Sequence, residues 1–421
     1  MKNKTRKHRA LKVVGIIAGV LVVGAGAAIG FYCDNNLHAE ERIIERALNA
    51  GLVEKQVTLD IEPSGSAQAT DVAIDDTGAR GAAKDGENAV NADAGAADAS
   101  TADANESEIG NAGGIGANAN GVTINYAEGP DNGPALLLVH GQGMEWEDYA
   151  TVLPELTKRY HVFAVDCFGH GESAHDPALY TCAAGGDALI AFANQIIGGD
   201  YLVSGHSSGG ILAAYVAAHD RGHVTACVLE DPPLFRVTPE EVTEGAGAFA
   251  YYDGYSVAHS FLQQNEVKDY PVWYAAHSYL FGMFGGLQGM LAKQTADWCA
   301  QHPGEHVVNA WVPRDWTRGM YFMDDWDPRF GEAFFDGSWM ANIDQEALLR
   351  QIECPVVYLK AATNYGDDGV LYAATTDDDA ARIQETIPNC QTTVIKSGHD
   401  IHVEHPDVFI DAVDRALAMH S

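Results

Sequence analysis

The chain has little positive charge, no closely paired cysteines, and one long stretch without an aromatic residue. Its 421 residues carry 25 Lys and Arg against 59 Asp and Glu, a formal net charge of −34. Binding a polyphosphate needs clustered cations, so this balance argues against a nucleic-acid partner; otherwise it bears on solubility rather than fold. Seven cysteines occur without a single C-x-x-C pair, which leaves a zinc site without support. An odd number leaves at least one thiol unpaired. Cys167, Cys227 and Cys354 sit in apolar, strand-like runs and read as buried thiols. Residues 62–120 are dominated by Ala, Gly, Asp, Asn and Ser; from 63 to 120 there is no aromatic side chain, and from 61 to 120 only Arg80 and Lys84 are basic. Such a segment cannot bury enough apolar surface to offset its conformational entropy and is expected to be disordered.

What basic charge there is gathers at the N-terminus. Lys2, Lys4, Arg6, Lys7, Arg9 and Lys12 precede an uncharged run from Val13 to Tyr32. A helix of that length spans about 30 Å of hydrocarbon. The basic flank predicts that residues 1–12 stay in the cytoplasm and that 13–32 is a transmembrane signal anchor, with the remainder outside. Two alternatives remain. Ala25-Gly26-Ala27 offers small residues to a signal peptidase, and Cys33 could carry a lipid, although Tyr32 before it is bulky for that. Gly24–Gly30 imitates a dinucleotide loop, but it lies inside the apolar run and reads as small residues in a membrane helix.

Apolar residues at Leu37, Ile43, Ile44, Ala47 and Leu48 predict a short amphipathic helix ending at Gly51. Residues 56–61 alternate as a strand, and so do residues 121–126. These two pieces are expected to pair as one antiparallel hairpin, with residues 62–120 as a large insertion in its turn. Closure entropy grows only logarithmically with loop length, so such an insertion costs little. From residue 134 strands and helices alternate: strands at 135–139, 162–165, 201–204, 224–229, 355–359 and 392–395, with helices at 146–160, 185–197, 208–219, 377–386 and 406–419. Apolar strands between helices predict an α/β fold with a mostly parallel central sheet covered on both faces. The core would then comprise 36–61, 121–231 and 351–421. Residues 232–350 break the rhythm. They hold Trp273, Trp298, Trp311, Trp316, Trp326 and Trp339 and are expected to form a helical, aromatic-rich cap.

Three runs carry chemistry. Gly205-His206-Ser207-Ser208-Gly209 matches G-x-S-x-G, follows an apolar strand and opens a helix; that context lifts a serine hydroxyl above a sheet as a nucleophile. His140-Gly141-Gln142-Gly143 follows strand 135–139. An attacked carbonyl becomes an oxyanion and needs donors fixed where the charge develops; the backbone amides of Gln142 and Ser208 are the candidates. Asp166–Ser173 follows the next strand. Its glycines predict a tight structural loop, with His170 packed inside it. Near the C-terminus, Ser397-Gly398-His399-Asp400-Ile401-His402 follows strand 392–395.

These runs, in this order, resemble the α/β-hydrolase fold family, in its serine branch with a cap between the sixth and seventh strands. The resemblance covers Gly121 to the C-terminus and implies a triad ordered serine, acid, histidine. It implies Ser207 as nucleophile and His399 as base, with His402 as the alternative base. A metal held by His399, His402 and His405 is disfavoured by the strand-then-loop context. The acid stays open. Behind the seventh strand its usual place falls near Asn364, which is not an acid. Asp231 is therefore the first candidate, Asp367 or Asp368 the second and Glu230 the third; the unused carboxylates are expected at the surface or in turns. The resemblance implies acyl transfer to water with no metal or organic cofactor, on an ester, amide or similar carbonyl bond of a small, apolar or aromatic substrate. Serine at 207 disfavours the dehalogenase and epoxide-hydrolase members, which carry aspartate there. The alternative is a non-catalytic binding module or receptor on the same fold.

Overall fold

The structure is a computed structural model and describes residues 35–60 and 121–420. The expected membrane span at 13–32 and the insertion at 62–120 lie outside the described residues. Among those described, no helix is long and apolar enough to cross a membrane.

One eight-stranded sheet organises the chain, in the order β1-β2-β4-β3-β5-β6-β7-β8. The strands are β1 (Val53–Leu59), β2 (Val122–Glu128), β3 (Ala135–Val139), β4 (His161–Val165), β5 (Tyr201–His206), β6 (Val224–Glu230), β7 (Val356–Ala361) and β8 (Cys390–Ile395). β1 and β2 form an antiparallel pair with Val53 opposite Glu128 and Leu59 opposite Val122. β1 starts three residues earlier than the alternation predicts. β2 also runs antiparallel to β4, and every pairing from β4 to β8 is parallel.

The central parallel strands β3 to β7 are apolar on both sides because each face is covered, whereas edge strand β8 is not buried. Leu137 and Val139 point to the face that carries the helices Cys182–Phe192 and Ser208–His219. Their neighbours Leu136 and Leu138 point to the opposite face, against Phe409 and Val413 of the last helix, Pro406–His420. All four strand residues are fully buried. At roughly 1.5–3 kcal/mol for each large apolar side chain, this double burial fixes the register of the central strands.

Two expected helices differ in detail. Residues 146–160 form a 3₁₀ turn, Trp146–Thr151, and a single α-turn, Leu153–Leu156. Pro154 lacks an N–H and disfavours helical backbone before it, so one continuous helix cannot form. The helix predicted at 185–197 begins at Cys182, where the Thr181 side chain accepts from the Ala184 N–H, and ends in a π-turn closed by Gly198 at φ 68°. Cys167 and Cys227 are buried as expected; Cys354 is only half-buried. Between β6 and β7 the chain forms a cap of short helices, including Ser256–Leu262, Tyr270–His277, Gln288–Gln301, Arg314–Tyr321 and Pro328–Phe335. Trp339 stacks on Phe334 at 4.4 Å, and Trp326 meets Tyr270 edge-on at 4.9 Å. Trp311 and Trp316, by contrast, are exposed.

The tightest backbone approach lies where β5 turns into the helix Ser208–His219. A Cβ on Gly209 would stand 2.2 Å from the His140 carbonyl oxygen and 2.3 Å from that of Val139. Neither obstacle is a movable side chain. Gly209→Ala is therefore expected to destabilise the protein by about 1–3 kcal/mol or more, as measured by denaturant unfolding. A loss below about 0.5 kcal/mol would contradict this packing.

Candidate active site

The turn after β5 puts Ser207 at φ 54°, ψ −122°, a conformation that L-residues rarely adopt. Three surrounding features hold it there. The Ser207 N–H donates to the Glu230 carbonyl at 3.0 Å, and its own carbonyl accepts from the Gly210 N–H at 2.9 Å. A Cβ on Gly205 would come within 2.1 Å of the Gly209 carbonyl oxygen, so only glycine lets strand and helix cross this closely. Four non-glycine residues among those described have positive φ, and Ser207 and Asp231 (φ 42°) are two of them. Strain of this kind persists only where the surroundings over-determine it, and it gathers at functional sites.

Asp231 lies one residue past β6 and is fully buried. One carboxylate oxygen pairs with His399 Nδ1 at 2.7 Å, and the other accepts from the Ala361 N–H at 3.0 Å. Of the four carboxylates weighed from the sequence, this is the one that meets His399. Asp367 and Asp368 are exposed, and Asp368 accepts from the Tyr279 hydroxyl at 2.7 Å. Glu230 is not a surface carboxylate as expected. It is completely buried and pairs with His402, accepting from its backbone N–H at 2.7 Å and meeting Nδ1 at 2.9 Å. His402 is fully buried in that pairing, whereas His399 lines the cavity with Ser207.

Burial lowers the basicity of the His399 ring. The hydrogen bond and charge of Asp231 more than offset this, helped by Asp400 and Glu230, and its pKa is pushed up to about 9. The ring is 37% exposed, so water in the cavity screens these charges and weakens the rise. With Nδ1 carrying the proton toward Asp231, Nε2 of the neutral ring is an acceptor.

The glycine loop after β3 and the loop after β4 are tied together by two buried histidines. His140 Nε2 accepts from the Cys167 N–H at 2.9 Å, and His170 Nε2 accepts from the Gly143 N–H at 2.9 Å. The other ring nitrogens face the carbonyls of Gly141 and Phe168. Burial holds both rings well below the usual imidazole range, His140 at about 4; each is neutral and fixed in one tautomer. His170 packs edge-on against Phe330 at 4.6 Å, so it is the packed loop residue expected. Asp166 anchors the same loops, accepting from the Trp146 N–H at 2.7 Å and from Asn125 Nδ2 at 2.8 Å. Gln142, Ser207, Ser208 and His399 all line one cavity of about 600 Å³. The cap supplies much of its other wall, with Met283, Met320, Met323, Trp316, Trp326 and Tyr274.

Beneath the cavity lies a buried charge network that the sequence reading missed. Asp148 is fully buried and bonded to Arg318 of the cap at 2.5 Å and to His402 Nε2 at 3.2 Å. Burial would raise its pKa, but the charges of Arg318 and His402 hold it well below the carboxylate range. Glu230 and Asp148 in turn overcome the burial of His402 and push it up to about 10. Asp148, His206 and His402 bring their ligand atoms within 4.8 Å of one another. The guanidinium on Asp148 makes this an ion-pair network rather than a cation cradle. His206, at the variable position of the elbow motif, was the one legible pointer to it.

Residues 136–412 match the model of the alpha/beta hydrolase family. Lipase LipV of Mycobacterium tuberculosis is 36% identical over 109 residues, 25% of this chain and 40% of that protein. A probable 1-acylglycerol-3-phosphate O-acyltransferase of Oryza sativa subsp. japonica is 27% identical over 155 residues, 34% of this chain and 37% of that one. These matches span no more than 40% of either relative. The solved structure of a thermophilic esterase from Thermogutta terrifontis is similar at a TM-score of 0.49 and 20% identity, covering 72% of this chain and 97% of that one. The family match runs from β3 into the last helix, and the chain belongs to the alpha/beta hydrolase family.

Proposed function

We propose that the protein is a serine hydrolase that cleaves an ester, amide or similar carbonyl bond of a small, apolar or aromatic substrate through an acyl-enzyme. The observation that carries this reading is the buried Asp231 on His399 at 2.7 Å, with Ser207 in strained backbone on the wall of the same cavity. Neutral His399 takes the Ser207 proton at Nε2 while the serine oxygen attacks the carbonyl carbon. The amides of Gln142 and Ser208 receive the oxyanion. As the tetrahedral species collapses, the imidazolium returns the proton to the leaving group. Water then repeats the sequence on the acyl-serine and frees the acid. Asp231 orients the ring and stabilises its charged form. Methionines in the wall have flexible thioether chains that adapt to varied apolar groups, which supports an apolar acyl portion. We also propose that residues 13–32 hold the domain at the outer face of a membrane, with secretion after cleavage as the alternative.

A fluorophosphonate probe is expected to label the wild type and not Ser207→Ala. Folded wild type that stays unlabelled would point instead to a binding module. The free enzyme must hold His399 neutral, so kcat/KM is expected to rise with pH through a limb raised above the ordinary imidazole value of 6.5 and to fall about tenfold per unit below it. Asp231→Asn removes the anion that raises this value. The limb should move downward and the rate at its plateau should fall on the order of 10³–10⁴-fold; an unmoved limb would remove Asp231 from the role. Protease added to intact cells is expected to digest the domain, and full protection would overturn the proposed orientation.

A further inference from the structure

The proposed mechanism uses the Asp231 side of His399 and leaves its other attachments unexplained. The backbone carbonyl of His399 accepts from His206 Nε2 at 3.2 Å, and the two rings lie 4.6 Å apart at 48°. His206 is 2% exposed. Because a carbonyl only accepts, Nε2 carries the hydrogen. His206 Nδ1 stands 3.5 Å from Asp148 Oδ2 and Nε2 stands 3.5 Å from Asp400 Oδ1, so the ring sits between two carboxylates; Nδ1 and Oδ2 have no hydrogen-bond partner. Asp148 is held from the far side. Arg318 Nη2 donates to the Asp148 carbonyl oxygen at 2.7 Å and to Oδ1 at 2.5 Å, while Arg318 Nε reaches Glu40 Oε1 at 3.2 Å. Glu40 belongs to the helix Ala39–Leu48 and is also bonded to Arg314. The line thus runs from the N-terminal helix through the cap to the elbow and ends on the residue read as the base.

We infer that His206 is a positioning residue for His399, and that Arg318 and Glu40 act on the base through Asp148 and His206. This rests on the reading of His399 as base. A ring held only at Nδ1 can still swing with its backbone, and Gly398 before it is exposed. Asp231 fixes the ring, and His206, together with the Ile401 N–H that donates to the same carbonyl at 3.2 Å, fixes the peptide that carries it. Both holds are needed to define where Nε2 points, and a misplacement of about 1 Å costs on the order of 10²-fold in rate. Arg318 and His402 both hold Oδ1 of Asp148, which leaves Oδ2 on the side of His206. The cap helix Arg314–Tyr321 also lines the cavity through Arg318, Gly319 and Met320. The seating of the cap and the placing of the base are therefore one mechanical event.

The test compares wild type, His206→Phe, His206→Gln and Arg318→Lys by fluorophosphonate labelling rate and by kcat and KM on an aryl ester across pH. Charged and titratable groups around His399 are Asp231, Asp400, Glu230 and His206, with Asp148, His402 and Arg318 behind them, so the limb is read alongside the plateau. His206→Phe keeps a ring against His399 and loses the donor. It is expected to lower kcat and labelling about 10–100-fold with KM within about threefold. His206→Gln, whose amide can donate to the same carbonyl, should recover most of that loss. Arg318→Lys keeps the charge without the two-point grip and should lower kcat at nearly constant KM; it decides the matter should His206→Phe fail to fold. Wild-type kcat and limb in His206→Phe or in Arg318→Lys, or equal loss in the Phe and Gln variants, would overturn the inference. A folded wild type that is never labelled would instead overturn the hydrolase reading, and this inference with it.

Discussion

The site depends on a backbone crossing. Where β5 ends, the chain must reverse into a helix that passes close enough to touch the carbonyls of Val139 and His140 on the neighbouring strand. Only residues without a Cβ fit at 205 and 209, and the residue between them must take positive φ. That single constraint raises Ser207 off the sheet and places the first amide of the helix beside it. It also brings the elbow against the glycine loop after β3, where a Cβ on Gly141 would lie 3.0 Å from that of Ser207. Ser207 and the candidate oxyanion donors are thus set by one local collision pattern rather than by independent contacts.

The candidate acid, Asp231, shows how a parallel sheet can accommodate a carboxylate at a neighbouring strand end. The usual place behind β7 falls near Asn364, and the carboxylate stands at the end of β6 instead. β6 and β7 are paired neighbours, Glu230 opposite Leu359, so their ends are one inter-strand spacing apart, about 4.8 Å. Asp231 crosses that gap. Its second oxygen takes the Ala361 N–H from β7, and its first reaches His399 beyond β8. Strand β7 retains a part, as the backbone donor that keeps the relocated carboxylate aimed.

Much of this was legible in the sequence, and the reasons differ from place to place. Alternation of apolar strands and helices and the glycines of the elbow follow from local rules that a sequence displays directly; the order of serine and histidine came from the family resemblance. The choice among Glu230, Asp231, Asp367 and Asp368 did not, because adjacent residues at a strand end point to opposite faces. Glu230 goes beneath the sheet edge to His402 and Asp231 goes above it to His399; one position decides between them, and the strand's end is the least certain part of a sequence reading. Pro154 broke a helix that hydrophobic spacing alone favoured. The buried network was least accessible of all. Glu40, Asp148, Glu230, Arg318 and His402 are scattered over most of the chain, and nothing in their local sequence marks them as buried.

That network also bears on why so acidic a chain keeps charge in its interior. Three buried carboxylates, Glu40, Asp148 and Glu230, face three cations, Arg314, Arg318 and His402. A buried pair seldom adds net stability over an apolar replacement, but loss of one partner strands the other at a cost of about 3–5 kcal/mol. Such a network penalises any arrangement in which its contributors separate. Here they come from the N-terminal helix, the turn after β3, the end of β6, the cap and the loop after β8. An apolar core could hold these segments together with many small slips between them. Directional ion pairs restrict the arrangement, and in it the peptide of His399 rests on His206. The interior charge is therefore better understood as fixing geometry around His399 than as supplying stability.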